Sequence, residues 1–491
     1  MSLIQTINKK ITFQLSLVVV FGLVLLFYIS YKAYHLSFTH DEAYTYTHYV
    51  HQGFMDIISY KTPYTNNHIL NTVLTKYSEV FFGSSEFALR LPNILAFILY
   101  SVFSVLLFYK YCPKLILPFY LLMVLNPHLL DFFALSRGYG LSISFLVMSL
   151  YYLNLYFTSK QNKHLILFNI GAFLAALSNF SLLNYYVSAL IVYNIVLYVI
   201  SKTDSANNTY RLYKQNKINI ISVILTGAVL YEPLRRISKM SLLDFGGKNG
   251  FLEDTVGTAI YSFFYEMYVS PFYEIVLKVF ILCVVGISFV IIIKHIIQKN
   301  NTFLKTYGAL VLIHSVLIAI VVTTIMQHLI LGNDYYIHRF ALFFYPVFIL
   351  NFVFLLHYFT QSYKTTIISI SYLFAALWLF NFYINHNTVY YKDWKIDSGV
   401  KSMMEKLVLE HNKNPNKQIR LGINWLFEPG VNFYRYTWDL NWLNPAHRRG
   451  ISQYDDYFYI LDIDKEFELL SSKPAICKDN VSGAILIKNS Q

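Results

Sequence analysis

The chain has 491 residues, 56% of them hydrophobic and only 13% charged, with a formal net charge of +12. Soluble domains carry about a quarter charged residues, so this composition excludes an ordinary soluble globule and defines a polytopic membrane protein. In such a chain an excess of Lys and Arg reports topology and contact with anionic headgroups, and nucleic acid is not expected as a partner.

The first apolar run, 11–30, follows Lys9 and Lys10. It is long for a signal peptide and no small-residue cleavage site follows, so it is expected to stay as a first helix with a cytoplasmic amino terminus. Residues 31–92 are more polar, with Pro63 and Asn66-Asn67-His68, and are expected to form a first external loop bearing helices that lie at the interface. Further apolar runs lie near 93–109, 115–130, 140–158, 165–178, 183–201, 218–231, 272–294, 304–325, 340–357 and 365–384. With the first they predict about eleven transmembrane helices, the 165–178 and 218–231 runs being short.

Lys110 and Lys114, Lys160 and Lys163, Lys202 with Arg211, Lys214 and Lys217, Lys294 with Lys299 and Lys305, and Lys364 fall in alternate connections. That is the distribution of cytoplasmic loops in an inner (plasma) membrane protein. An odd number of spans then places the end of the chain outside, on the face of the first loop. From about residue 386 long apolar runs stop. Amphipathic spacing over 398–411 predicts a helix, and 418–424, 457–462 and 484–488 predict strands. The expected organisation is a transmembrane domain, 1–385, and a small α/β extracytoplasmic domain, 386–491. Cys112, Cys283 and Cys477 are too far apart to suggest a disulfide framework or metal spacing.

Chemistry is sought where helices surface on the external face. Asp41 and Glu42 sit side by side just after the first span; His68, Asp131 with Arg137, Glu232, and His338 with Arg339 come from other loops. Each has a plainer reading. An acidic pair at a helix start complements its dipole, the arginines would anchor helix ends at headgroups, and His68 would be a turn residue. Asp131, between Leu130 and Phe132, is harder to dismiss, because an acid at that depth needs a partner or water.

Taken in order, these groups resemble a known pattern. Asp41-Glu42 after one helix is followed by Asn67-His68-Ile69-Leu70 and by Phe82-Gly83 leading to Arg90-Leu91-Pro92 before the second helix. Ser136-Arg137-Gly138-Tyr139 then enters the fourth helix and His338-Arg339-Phe340 a late one. In layout over 10–385, and in motif over the first 160 residues, the chain is similar to the GT-C superfamily of lipid-phosphate-sugar-dependent glycosyltransferases. The branch it resembles holds the protein O-mannosyltransferases and the lipid A aminoarabinose transferase. It departs from many relatives in having Ile69 and Leu70, not prolines, after the loop histidine.

The resemblance implies an inverting transfer of sugar from a polyprenyl phosphate to an acceptor hydroxyl on a lipid, glycan or protein. Asp41 and Glu42 would be catalytic; His68, Asp131, Arg137, Tyr139, His338 and Arg339 would bind substrate. The residues agree. A carboxylate is ionised at neutral pH and can take the hydroxyl proton, while arginines suit a leaving phosphate. No Gly-rich nucleotide loop competes. Asp41, Glu42, His68 and Asp131 would supply an oxygen-rich site for a divalent cation if they converge, though no ligand spacing demands one. Two other classes stay open: a polysaccharide or lipid transporter or flippase, which would favour inverted repeats, and a non-catalytic membrane scaffold.

Overall fold

The computed structural model describes residues 3–62, 65–203, 206–239 and 246–489. Pro63 and part of the polar 203–208 connection fall outside them. Among the described residues nine helices are long and apolar enough to cross a bilayer. They are Lys10–His35, Glu86–Tyr111, Gly138–Ser159, Leu182–Val199, Asn216–Ser238, Pro271–Ile297, Gly308–Leu331, His338–Phe359 and Lys364–Asn385.

Two further apolar segments pack among them. Ile116–Val124 and Pro127–Phe133 form a pair bent by 74°. The bend follows from Pro127 at the first helical position and from Asn126, whose side chain accepts the Leu129 N–H at 3.1 Å. The pair runs alongside the first helix. Gln14 donates to the Lys114 carbonyl at 3.0 Å and accepts from the Leu117 N–H at 3.2 Å, while Lys32 ion-pairs with Asp131 at the far end. From Gln14 to Lys32 the helix climbs about 27 Å at 1.5 Å per residue, most of a hydrocarbon core. The other segment, Asn162–Ser178, has 17 residues and packs along Gly138–Ser159. Together these account for the eleven runs read from the sequence.

Boundaries differ in the first loop. The first helix runs on to His35, and the next span begins at Glu86, so Arg90-Leu91-Pro92 lies inside it rather than before it. Ser85 caps that helix by accepting the Ala88 N–H at 3.3 Å. Pro92 is tolerated because the carbonyl it leaves unbonded, that of Ala88, accepts the Ser78 hydroxyl at 2.5 Å. Between them Ile69–Phe82 buries Ile69, Thr72 and Thr75 and exposes Val80, Phe81 and Phe82, as a helix lying at an interface does. Among the described residues of this stretch the loop is 36–62 and 65–68, punctuated by short helices, with a short link at 83–85.

The tail contains the helix Val400–His411 and a four-stranded sheet: β1 Leu421–Ile423, β2 Tyr457–Ile460, β3 Ala475–Lys478 and β4 Ile485–Lys488, in the order β1-β2-β4-β3. β1 and β2 are parallel and the other pairs antiparallel. β3 and the helix Glu428–Thr437 were not foreseen. β3 is partly exposed, with a register shift between Ala475 and Cys477, so it lacks a clean alternation. The hydrophobic core of this tail is shared with the first loop: Phe38, Ala43, Tyr46 and Val50 pack in one cluster with Val400, Phe427 and Phe433. The loop carrying Asp41 therefore sits between membrane helices and tail.

Candidate active site

The short helix His40–Thr45 starts in a capping box. The Thr39 hydroxyl faces the Glu42 N–H, and Glu42 reaches back to the Thr39 backbone. Glu42 is buried and does more than cap. Its carboxylate accepts from Arg90 Nε at 2.9 Å, Arg90 Nη2 at 2.7 Å, the Ser136 N–H at 2.6 Å, and the Thr39 N–H and hydroxyl at 3.0 Å each. Arg90 is spent as well, donating Nη1 to the Ala33 and Leu36 carbonyls and Nη2 to Ser37. A carboxylate so filled has no lone pair left for a substrate. The geometry makes Glu42 the anchor that ties the loop to two helices.

Asp41 is placed differently. Its side chain is 14% exposed, and two arginines approach one oxygen: Arg137 Nη2 at 3.5 Å and Arg339 Nη2 at 3.4 Å from Oδ2. The Asn66 amide donates to Oδ1 at 3.4 Å. All three contacts are long for charge-assisted bonds, which close to about 2.7–2.9 Å. Burial pushes the Asp41 carboxyl up, but Arg137 and Arg339, with His40 and Asn66, outweigh it and hold the acid below its ordinary value.

The two arginines have distinct surroundings. Arg137 is 2% exposed, which rules out headgroup anchoring; its Nη1 donates to the Thr45 hydroxyl and the Asn66 carbonyl at 3.1 Å each and to the Asp41 carbonyl at 3.4 Å. Arg339 is 23% exposed. Its Nε donates to the Tyr139 hydroxyl at 3.2 Å, Nη1 lies 3.7 Å from Asp393 Oδ2, and the guanidinium sits 5.1 Å above the Trp394 ring. It is aimed by an unusual turn, because His338 just before it is exposed and takes a left-handed φ of 48°.

His68 and Tyr139 form the buried wall, their rings edge-to-face at 5.0 Å. His68 Nδ1–H donates to the Ser178 carbonyl at 2.9 Å, which leaves the lone pair on Nε2, buried and without a partner. Burial, then Arg137, push its imidazole well below the usual range, so the ring is neutral. Gly138 makes this wall possible: a Cβ there would fall 1.9 Å from the Ser178 carbonyl oxygen and 2.8 Å from His68.

Two of the expected residues stand apart. Asp131 is filled by Lys32, by the Tyr265 hydroxyl at 2.7 Å and by the Lys392 N–H at 3.1 Å. It ties the first helix to the bent pair and the tail. Glu232 pairs with Arg235 and Arg236 on its own helix. The metal site that Asp41, Glu42, His68 and Asp131 would have made does not assemble, because Glu42 is committed to Arg90 and Asp131 to Lys32. No other cluster of three or more such ligands occurs among the described residues.

Asp393, Trp394 and His128 belong to the site and were not foreseen. Asp393 Oδ1 bonds His128 Nε2 at 3.1 Å; burial raises its acid, but His128, Arg339 and His338 prevail and hold it well below the usual carboxylate range. Lys392-Asp393-Trp394-Lys395 begin seven residues past the last span, within the polar stretch that starts near residue 386, and nothing in their local sequence singles them out.

An apolar groove of about 1120 Å³ opens between Pro271–Ile297, Gly308–Leu331, Phe344–Phe359 and Lys364–Asn385, lined by Phe263, Phe280, Leu317, Phe344 and Trp378 among others. Asp41 and Arg339 do not line it. Its wall Gly257–Phe264 packs against His338–Ala341, the turn that bears Arg339.

With helices, groove and tail in this arrangement, the chain has the polytopic GT-C fold. It is similar along nearly its whole length to ArnT from Cupriavidus metallidurans bound to undecaprenyl phosphate. The TM-score is 0.53 at 11% identity, covering 97% of this chain and 98% of that one. The apo state of the same protein aligns with a TM-score of 0.51, also at 11% identity, over 98% of each chain. At that identity the likeness is one of fold. No protein-family model and no curated protein sequence matches the chain.

Proposed function

We propose that the chain is an inverting glycosyltransferase that moves a sugar from a polyprenyl phosphate to an acceptor hydroxyl, with Asp41 as general base. The observation that carries this reading is Asp41 itself, an accessible carboxylate held by three long contacts between two arginines. The acceptor oxygen attacks the anomeric carbon and its proton passes to Asp41. The bond from that carbon to the phosphate oxygen breaks with its electron pair going to the phosphate, and the single displacement inverts the centre. Arg339, the more exposed arginine, meets the departing charge with a planar fork. Arg137 holds Asp41 to Thr45 and Asn66. Because Arg339 lowers the pKa of Asp41, a donor phosphate that draws Arg339 away raises the basicity of Asp41 as the complex forms. His68 Nε2 and Tyr139 line the sugar side, and His338 is a further hydrogen-bonding group for the phosphate.

The groove suits the polyprenyl chain, being apolar and walled by the element that packs on the Arg339 turn. That the similar ArnT structure holds undecaprenyl phosphate supports the same donor class. The acceptor, whether lipid, glycan or protein, lies at the face where loop and tail meet. The Lys and Arg distribution puts that face outside the plasma membrane and the amino terminus in the cytoplasm; labelling of single cysteines on intact cells tests it. A flippase reading draws on the bent pair at Asn126. Purified protein in detergent decides between them. Release of polyprenyl phosphate from a polyprenyl-phosphate sugar without any gradient is expected of the transferase, and none of a flippase. Mass spectrometry of envelope lipids and glycans with and without the gene then identifies sugar and acceptor.

A further inference from the structure

The six-residue helix carrying Asp41 is held at its start by the tail. Its first N–H, that of His40, donates to Asp397 Oδ2 at 2.6 Å, and the His40 ring bonds the Leu426 carbonyl through Nδ1 at 2.6 Å. Just upstream, the Phe38 N–H donates to the Tyr434 hydroxyl at 2.8 Å, the Phe38 ring stacks on Phe433 at 4.1 Å, and the Ser37 hydroxyl donates to the Ser398 carbonyl at 2.9 Å. A helix this short has no cooperative stability of its own. What fixes its ends fixes its direction.

Asp397 belongs to Lys392–Gly399, a 3-10 segment with a break at Trp394. The same segment presents Asp393 to Arg339 and His128, lays Trp394 beneath Arg339, and donates the Lys392 N–H to Asp131. It thus touches both sides of Asp41: the arginine facing its carboxylate and the first amide of its helix. Gly399 lets it pass the sheet closely, since a Cβ there would lie 2.6 Å from the Asp479 Cβ and 3.1 Å from the Tyr459 hydroxyl.

We propose that Lys392–Gly399 is a positioning strap and that Asp397, through the His40 amide, sets the aim of Asp41, making the tail a working part of the transferase. The inference rests on the reading of Asp41 as the base; Asp397 itself touches no substrate. Asp41, Glu42 and Tyr459 are the titratable groups that face Asp397. Burial first, then the two carboxylates, raise its acid to about 8, against the pull of the His40 amide. At pH 7 it therefore holds that amide as a neutral acid and adds no negative charge beside Asp41.

The test uses the full chain in nanodiscs and two readouts. Deuterium exchange across His40–Thr45 reports the helix whatever the chemistry, and release of polyprenyl phosphate from a polyprenyl-phosphate sugar reports transfer. Asp397→Ala is expected to speed exchange in that peptide and to lower kcat roughly 10- to 100-fold, the cost of a misaimed group, with the donor KM within about twofold. Asp397→Asn keeps an acceptor oxygen, so it is expected to restore exchange and kcat at pH 7 and to remove the alkaline inflection near pH 8 expected of the native chain. Unchanged exchange and kcat in Asp397→Ala overturn the strap. So does an Asp397→Leu chain, used if Asp397→Ala fails to fold, whose exchange and kcat match the native chain, since leucine keeps bulk and lacks the acceptor for the His40 amide. Exchange that responds to Asp397 in a protein that never consumes the donor keeps the strap and overturns the transferase reading.

Discussion

Glu42 accepts five hydrogen bonds between 2.6 and 3.0 Å from donors that are themselves fully engaged. Asp41, one residue earlier, has three contacts between 3.4 and 3.5 Å. Both carboxylates face arginine, and both lie in the same short helix. The difference is saturation: a structural acid has every lone pair filled, while an acid kept for chemistry is surrounded by charge without being closed off by it. Arg90 and Arg339 repeat the contrast, the first buried and fully bonded, the second partly exposed between two carboxylates.

Asp41→Asn tests the comparison most severely. The amide keeps the shape and loses the basicity, so transfer is expected to fall ~100- to 10,000-fold while the protein elutes and melts as the native chain does. Near-native turnover would make Asp41 another structural acid. Glu42→Gln should show the reverse pattern: it leaves Arg90 as an uncompensated buried charge, at a cost of about 3 kcal/mol or more in stability. The measurement is thermal unfolding in detergent, and the fraction that remains folded is expected to retain transfer. Replacing Glu42 and Arg90 together by apolar residues of similar volume sharpens the point, because it removes both charges and should recover most of the loss.

Smaller effects separate the two arginines. Arg339→Lys gives up the fork and is expected to raise the donor KM about tenfold. Arg137→Lys weakens the hold on Thr45 and Asn66, so it should lower kcat more than it raises KM; steady-state kinetics at varied donor concentration distinguishes them. The smallest effect is in pH. Asp41 is held below its ordinary value, so the basic form persists as pH falls, and the acid limb of kcat/KM should lie below that of an ordinary carboxylate. Arg339→Met removes one cause of that depression and should shift the limb upward. A limb that stays in place would uncouple Arg339 from Asp41.

Much of the fold was legible because bilayer-spanning runs are long and their cationic connections alternate, so nine of the eleven expected spans are, among the described residues, helices long and apolar enough to cross, with the bent pair a tenth at most. The bent pair was read as one plain run because Asn126-Pro127 interrupts apolarity for only two residues. In the site, order along the chain brought Asp41, His68, Arg137, Tyr139 and Arg339 to notice. Sequence could not separate Asp41 from Glu42, since their difference lies in Arg90 and the Ser136 amide, 48 and 94 residues from Glu42. Nor could it show that Asp131 faces Lys32 or that Asp393 and Asp397 return from the tail. Those pairings are made by packing across long separations and leave no local period.

The ion pair between Lys32 and Asp131 joins residues 99 apart, and the Lys392 N–H that completes Asp131 comes 261 residues later still. The first helix is made long before either partner. In chain order Lys32 precedes its anion, and Asp131 precedes its final donor by most of the membrane domain. A chain that stops short of residue 392 keeps the Lys32–Asp131 pair but lacks the amide that donates to Asp131. The surroundings of the first helix therefore depend on the far end of the chain, and loss of the tail removes hydrogen bonds to Asp131 and to the Lys32 carbonyl as well as the sheet.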